Sequence, residues 1–276
     1  MPPRAYTGAA MARPSRESST TGIAAGRRRV NAAVERVLGA RSDPALVVLE
    51  GFHALKHALR FDAQVELVVA VEGRALDTLI GAHAPELAER IERLALRIPR
   101  ADFKRMGAYE PHTGVVAIAS RPLYDIAALL ELRAGAPVVA LEDPRHRGNF
   151  GAVVRVAAAA EAAGVVGIGG IDPWHPTSVR GAAGLHFALP VGRASLKQLS
   201  ASGRPLIALE PHGRRLAPND LPEGAILLFG SERSGLSEEA RAHALGSFAL
   251  PMRPGVSSLN LATSVAAVLY ALRLGR

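Results

Sequence analysis

The sequence predicts an α/β protein of two consecutive units, and three observations carry the prediction. From Val30 onward, strand-length apolar runs alternate with helix-length segments, the pattern of a mainly parallel sheet covered on both faces. The 276 residues are 49% hydrophobic but only 4% aromatic, and much of the apolar content is alanine and valine, which suits helices packed closely on a sheet. The stretch Ser120-Arg121-Pro122-Leu123-Tyr124-Asp125 interrupts the alternation and places a boundary near residue 122.

Residues 1–26 are rich in Ser, Thr, Gly, Ala, Pro and Arg without an apolar period. A mobile tail is therefore expected over 1–29, ending in the basic run Arg27-Arg28-Arg29. The first unit, 30–121, reads as a strand at 46–49, a helix at 52–61, a strand at 65–71, a helical region at 76–94, a short strand at 96–98 and a closing strand at 114–120. The second unit, 122–276, reads as strands at 138–141, 165–168, 187–189, 206–209, 226–229 and 248–250. Helices are expected at 151–163, 179–184, 237–244 and 258–274. No internal repeat is visible.

Charge narrows the partners. Thirty-three Lys and Arg against 25 Asp and Glu leave +8 with histidine neutral, an excess that points to a polyanion, most often nucleic acid. With no cysteine there are no disulfides, thiolate metal sites or cysteine nucleophiles. No apolar run reaches membrane-spanning length, and the N-terminus lacks the apolar core of a secretory signal, so no membrane partner and a cytoplasmic location are expected. No metal is expected either. His53 and His57 are four apart on a predicted helix, but the glutamate of a zinc-protease motif is missing between them.

Three segments carry the chemistry. In the first, a strand ends at Asp143-Pro144, a basic loop Arg145-His146-Arg147 follows, and a helix opens near Asn149, with Arg155 six residues on. In the second, strand 226–229 runs into Gly230-Ser231-Glu232 and then Gly235-Leu236, a spacing that does not make a phosphate loop. Ser237 followed by two glutamates is an ordinary helix start. In the third, Leu250-Pro251-Met252 leads through a Pro/Gly turn to Ser258-Leu259-Asn260 before an apolar helix. Capping explains one of these two polar residues, not both.

Taken in order, the segments resemble the three motifs of the SpoU (TrmH-type) RNA ribose 2′-O-methyltransferases, within the SPOUT class. The first motif is Asn149 to Arg155, the second Gly230-x-Glu232-x-x-Gly235-Leu236, and the third Leu250-Pro251-Met252 with Ser258-Leu259-Asn260. The match is strong over 122–276. More loosely, 30–121 resembles the family's N-terminal substrate-binding domain, which is similar to a ribosomal-protein fold. The resemblance implies a parallel sheet whose C-terminal part threads a deep trefoil knot, a homodimer, and S-adenosylmethionine as cofactor. It further implies catalytic roles for Asn149, Arg155, Glu232, Ser258 and Asn260. Cofactor contacts are implied at Leu228, Gly230, Leu250, Met252, Ser258 and Leu259, with Gly230 leaving room for the ligand. Arg155 is either the base or a phosphate anchor, and Glu232 holds either the loops or the RNA.

Ribosomal RNA is the expected substrate, because a domain resembling a ribosomal-protein fold precedes the catalytic one. A tRNA substrate, a catalytically silent RNA-binding or ribosome-assembly role, and self-protection against a ribosome-targeting antibiotic stay open. A dinucleotide-binding oxidoreductase rests only on Gly167-Ile168-Gly169-Gly170, which lacks the full glycine fingerprint. The chain departs from the family in its basic first-motif loop, in Ala182 where serine is frequent, and in Ala271 after the C-terminal-helix tyrosine.

Overall fold

A computed structural model describes residues 16–73, 75–131, 135–217 and 220–275. The first unit contains helix α1 (Arg16–Ala40), β1 (Leu46–Glu50), α2 (Phe52–Arg60), β2 (Val65–Val71), α3 (Ala75–His83), α4 (Ala88–Leu94), β3 (Ala95–Ile98), α5 (Arg100–Phe103) and β4 (Val115–Ser120). The second contains α6 (Ile126–Glu131), β5 (Val138–Glu142), α7 (Arg147–Ala159), β6 (Gly164–Ile168), α8 (Pro176–Gly181), β7 (Val191–Arg193) and α9 (Leu196–Ala201). It closes with β8 (Leu206–Arg215), β9 (Ile226–Phe229), α10 (Glu238–His243), β10 (Gly246–Ala249) and α11 (Leu261–Leu274).

Two sheets result. The first runs β1-β4-β2-β3, with β4 antiparallel to both neighbours. The second runs β10-β8-β9-β5-β6-β7 and is parallel throughout. Its strands are apolar without alternation, as burial on both faces requires: β5, β6 and β9 are buried almost end to end. The chain order leaves β5 flanked by β6 and β9, so the polypeptide doubles back beside its own first strand. The ends of β5, β8 and β9 thereby come side by side, the usual place for a ligand in an open α/β sheet.

Where the structure departs from the sequence reading, a physical reason is visible. Helix α1 starts at Arg16, inside the stretch expected as tail; residues 1–15 lie outside the described residues. Its anchor lies further on, where Ala33, Val34, Val37 and Ala40 bury a stripe against Val48, Val69, Val116 and Ile118 of the first sheet. Arg27 is also committed, to Asp102 at 3.1 Å. The strand expected at 187–189 is a single helical turn, Leu185–Phe187, and β7 begins only after Pro190. Proline has no N–H to give a ladder. Helix α9 went unread, although its capping box, Ser195 with Gln198, is written in the sequence. Strand β8 runs six residues past its apolar core, because a polar extension pairs with β10 after a register shift.

The two sheets share one core. Val47 and Leu49 of β1, Phe52 and Leu55 of α2, Phe150 and Val153 of α7, and Val179 of α8 all belong to a single apolar cluster. Polar contacts fix the register of the docking. The Glu50 carboxylate, almost fully buried, accepts from Arg41 of its own unit at 2.9 Å and from Arg180 of the second unit at 2.6 Å. The Nδ1–H of His57 donates to the Ala183 carbonyl at 2.8 Å, which fixes the ring's tautomer, because a carbonyl only accepts. Gly184 sits at φ +78°, where a Cβ would lie 2.4 Å from the Ala54 carbonyl oxygen. The close approach of α2 therefore needs glycine there.

A core continuous across both sheets predicts one cooperative transition in scanning calorimetry of the full chain, not two. Gly184→Ala should lower that transition as a unit, by about 1–3 kcal/mol of overpacking plus backbone strain. Two separable endotherms, with only one moved by Gly184→Ala, would contradict the shared core.

Candidate active site

The three motif segments meet in one cleft of about 710 Å³ at the C-terminal ends of β8 and β9. Its apolar walls include Leu209, Phe229, Leu236, Phe248, Leu250 and Met252, and its floor reaches Val268 of α11. Ser258, Leu259 and Asn260 form one rim, Gly230 to Gly235 the other, and Asn149 closes the end.

A chain of hydrogen bonds binds these segments. Glu232 Oε1 accepts from Asn149 Nδ2 at 2.8 Å, and its Oε2 accepts the Arg145 backbone N–H at 3.1 Å. Asn149 Oδ1 accepts from Asn260 Nδ2 at 3.2 Å. Asn260 Oδ1 then caps α11, accepting the N–H groups of Ala262 at 2.9 Å and Thr263 at 3.4 Å. Both amide orientations are dictated by chemistry. An ionised carboxylate only accepts, so Asn149 must turn its NH₂ to Glu232. A backbone N–H only donates, so Asn260 must turn its oxygen to α11. The remaining oxygen and NH₂ then face each other with matching polarity. Burial pushes the Glu232 carboxyl up, but the Asn149 and backbone hydrogen bonds outweigh it and hold the group below the usual glutamate value. Glu232 is thus a fixed acceptor, poorly suited to take a proton at neutral pH.

The second-motif loop is clamped on itself as well. Ser231 and Gly235 exchange two backbone hydrogen bonds, at 3.1 and 3.0 Å, with Gly235 at φ +66°. Beyond the loop, Ser237 gives its N–H and hydroxyl to the two Glu142 oxygens at 2.8 and 2.7 Å. A Cβ on Gly230 would lie 2.0 Å from the Gly235 carbonyl carbon. The glycine is required by the loop's own closure, where the sequence reading had assigned its small size to ligand approach.

Most of the predicted site residues gather here: Asn149, Gly230, Glu232, Leu250, Met252, Ser258, Leu259 and Asn260 all line the cleft. Two do not. Leu228 is fully buried on the other side of the second sheet, packed with Val138, Ala140 and Ile226, because residues alternate faces along a strand. Arg155 is exposed on α7, outside the cleft, and its charge acts instead on His53 of α2. Helix α7 begins at Arg147, so Asn149 is inside its first turn and Arg155 points elsewhere on the same helix. Sequence reasoning missed Glu210, which lines the cleft and ties Arg241 at 2.9 Å to Ser247 at 2.8 Å. A glutamate directly after an apolar strand was the available signal. Among the described residues, no group of three or more His, Cys, Asp or Glu could hold a metal ion, and no helix is long and apolar enough to cross a membrane.

The profile of the SpoU rRNA Methylase family matches residues 136–270. An uncharacterized tRNA/rRNA methyltransferase of Mycobacterium tuberculosis is 30% identical over 245 residues, covering 82% of this chain and 80% of its own. The chain belongs to the SpoU family. A 23S rRNA (adenosine(1067)-2′-O)-methyltransferase of Streptomyces laurentii is 28% identical over 257 residues, covering 88% of this chain and 92% of its own. In fold, the chain is similar to the SpoU methyltransferase AviRb from Streptomyces viridochromogenes, solved with AdoMet. That match has a TM-score of 0.69 at 22% identity, covering 88% of this chain and 97% of the other.

Gly230→Ala discriminates between the two roles of that glycine. Loop closure predicts a lower unfolding temperature and a collapsed cleft together, by the cost of an overpacked backbone contact, about 1–3 kcal/mol. Unchanged stability with weakened ligand binding alone, read by thermal denaturation and calorimetry, would restore the ligand-approach role.

Proposed function

We propose that this chain transfers a methyl group from S-adenosylmethionine to a ribose 2′-hydroxyl of RNA, ribosomal RNA in particular. One observation carries the reading: three segments far apart in sequence converge on one cleft, joined by the Glu232–Asn149–Asn260 relay. Family membership and the relatives' names support the reaction class, and the net charge of +8 suits an RNA partner.

The cleft fits the cofactor on its own terms. The apolar part of its wall, with Leu209, Phe229, Leu250 and Met252, suits a purine ring. Among the described residues of 251–259, only Val256 gives its backbone N–H to another backbone carbonyl. Of the cleft-lining residues in that segment, Met252, Ser258 and Leu259 make no backbone–backbone hydrogen bond, which leaves their N–H and carbonyl groups for the edges of a purine and an amino-acid moiety. S-adenosylmethionine supplies an already activated methyl group, so the protein's task is alignment and management of one proton. Leu250, Met252 and Leu259, with the backbone at Gly230 and Ser258, hold the cofactor. Asn149, Asn260 and the exposed Ser258 hydroxyl orient the ribose at its end. Glu232 fixes Asn149.

Arg155 completes the site from a second copy of the chain. Its own cleft does not contain it, yet it stands exposed on α7, against which α11 packs. Helix α11 exposes Tyr270 and Leu274, the latter 83% accessible, a face suited to cover by a partner. A homodimer through α7 and α11 supplies the cover and the arginine together. The C-terminal strands and the loops around them form the trefoil knot in this reading. The unit 30–121 is the RNA-binding domain, the unit 122–276 the methyltransferase domain, and the enzyme works without metal in the cytoplasm.

The test uses methyl-labelled S-adenosylmethionine, a 23S rRNA transcript and chelator. Label should enter the ribose and survive alkali as a resistant dinucleotide; label in a base would contradict the reading. Asn149→Ala and Arg155→Ala should each reduce turnover at least 100-fold, an alignment-scale loss, while Arg155→Ala keeps its cofactor affinity. Mixing the two inactive variants should restore activity, since one site per mixed dimer then has both side chains. No restoration, from dimers shown to exchange, would place Arg155 in its own chain's site.

A further inference from the structure

The basic first-motif loop enters the relay through the Arg145 backbone N–H and the charge of His146 near Glu232, and its two arginine side chains take no part in it. Arg145, His146 and Arg147 are all exposed, and neither arginine makes an ion pair with an acid among the described residues. They line an open hollow of about 510 Å³ beside the cleft, with Gly148, Asn149 and Thr177. His146 and Asn149 line both depressions, so the hollow lies directly beside the cleft.

Helix α8 forms its far wall and leads on to the first unit. His175 caps α8, its Nδ1 accepting the Thr177 N–H at 3.1 Å, so its proton sits on Nε2 and is available to a ligand. Burial first, and then the charge of Arg147, lower the His175 pKa; Asp172 opposes them and Arg180 adds to the lowering, so these two arginines and Asp172 are all electrostatic neighbours of the ring. One turn along α8, the Arg180 guanidinium lies 4.3 Å from the centre of the Tyr109 ring. Tyr109 is 42% exposed, with the cation set over its ring. Glu50 accepts from both Arg41 and Arg180, so the trio keeps a net positive charge and stays locked in place.

We propose that this track is a second RNA subsite: the Arg145–Arg147–Thr177 hollow holds a phosphodiester flanking the target ribose, and the Tyr109 ring stacks an unpaired base of the same strand. The chemistry of the groups matches such a strand. Unpaired guanidiniums and a hydroxyl suit phosphate oxygens, and an aromatic ring backed by arginine is a stacking platform for single-stranded bases. No acid lines the hollow, so a cationic ligand would meet two guanidiniums without a counter-charge there. The subsite deepens the proposed function and rests on its RNA substrate.

The test is equilibrium binding of full-length protein to a 23S rRNA transcript across a salt series, with S-adenosylmethionine affinity measured in parallel. Tyr109→Ala should weaken RNA binding about tenfold, from the usual worth of one stacked base, and Tyr109→Phe should restore it. Arg145→Ala/Arg147→Ala should weaken binding and flatten the salt slope by about 0.7 for each phosphate no longer neutralised. The double lysine variant should recover the slope. Cofactor affinity and unfolding temperature should not move. Wild-type affinity and slope in the alanine variants would overturn the subsite, as would Phe or Lys variants no better than alanine, which would mark a merely structural role. Capture of a ribosomal protein by this face with RNA binding unaltered would overturn it too. Wild-type protein that binds RNA through these residues but transfers no methyl group would contradict the proposed function and leave the subsite standing.

Discussion

The hydrogen bond from Asn149 to Glu232 is the contact on which the site depends. It joins residues 83 positions apart, at 2.8 Å, and it sets the direction of every polar group beyond it. Because Glu232 is held ionised, Asn149 has only one way to face, and Asn260 then has only one way to answer it. The last member of the relay is also the cap of α11. The cleft's polarity is therefore coupled to the placement of a whole helix, and the helix cannot shift without disturbing the site. Donor meets acceptor at each step of the relay, from the Glu232 carboxylate to the first turn of α11.

A second constraint places the first unit against that site. Glu50 draws one arginine from each unit onto a buried carboxylate, where removing either partner would leave charge poorly compensated. Around it, Gly184 admits Ala54 and His57 holds the Ala183 carbonyl. The consequence is that α8 is packed on α7 and against β1, while the turn that follows it meets α2. Residues on α8 thus stand at a fixed distance from both the cleft and the first sheet, which is what a surface tracking one continuous strand needs. The shared core also ties the second unit to the first: deleting 1–121 would strip apolar partners from the cluster that contains Phe150 and Val179.

Much of this was legible in the sequence, for identifiable reasons. β2 and β9 read correctly to the residue: polar Gln64 and Glu72 bound the first, and Gly224-Ala225 and Gly230 bracket the second. The three motif segments were legible because polar residues at strand ends and helix starts have few structural duties beyond a cap. What was hidden depended on long-range geometry. Leu228 was placed by sheet pleat, Arg155 by helix phase, and Gly230 by a contact with Gly235 that spacing alone does not reveal. The start of α1 was masked by a segment with no apolar period, whose helix is anchored by residues a full 17 positions beyond Arg16, from Ala33 onward.

Centrally, Asn149 and Asn260 act as one unit in shaping the cleft. A double-mutant cycle on S-adenosylmethionine affinity tests this most directly, using Asn149→Ala, Asn260→Ala and both together in the full chain. The relay predicts strong coupling: the double variant binds about as weakly as either single one. Costs that simply add would show two independent residues and contradict the relay.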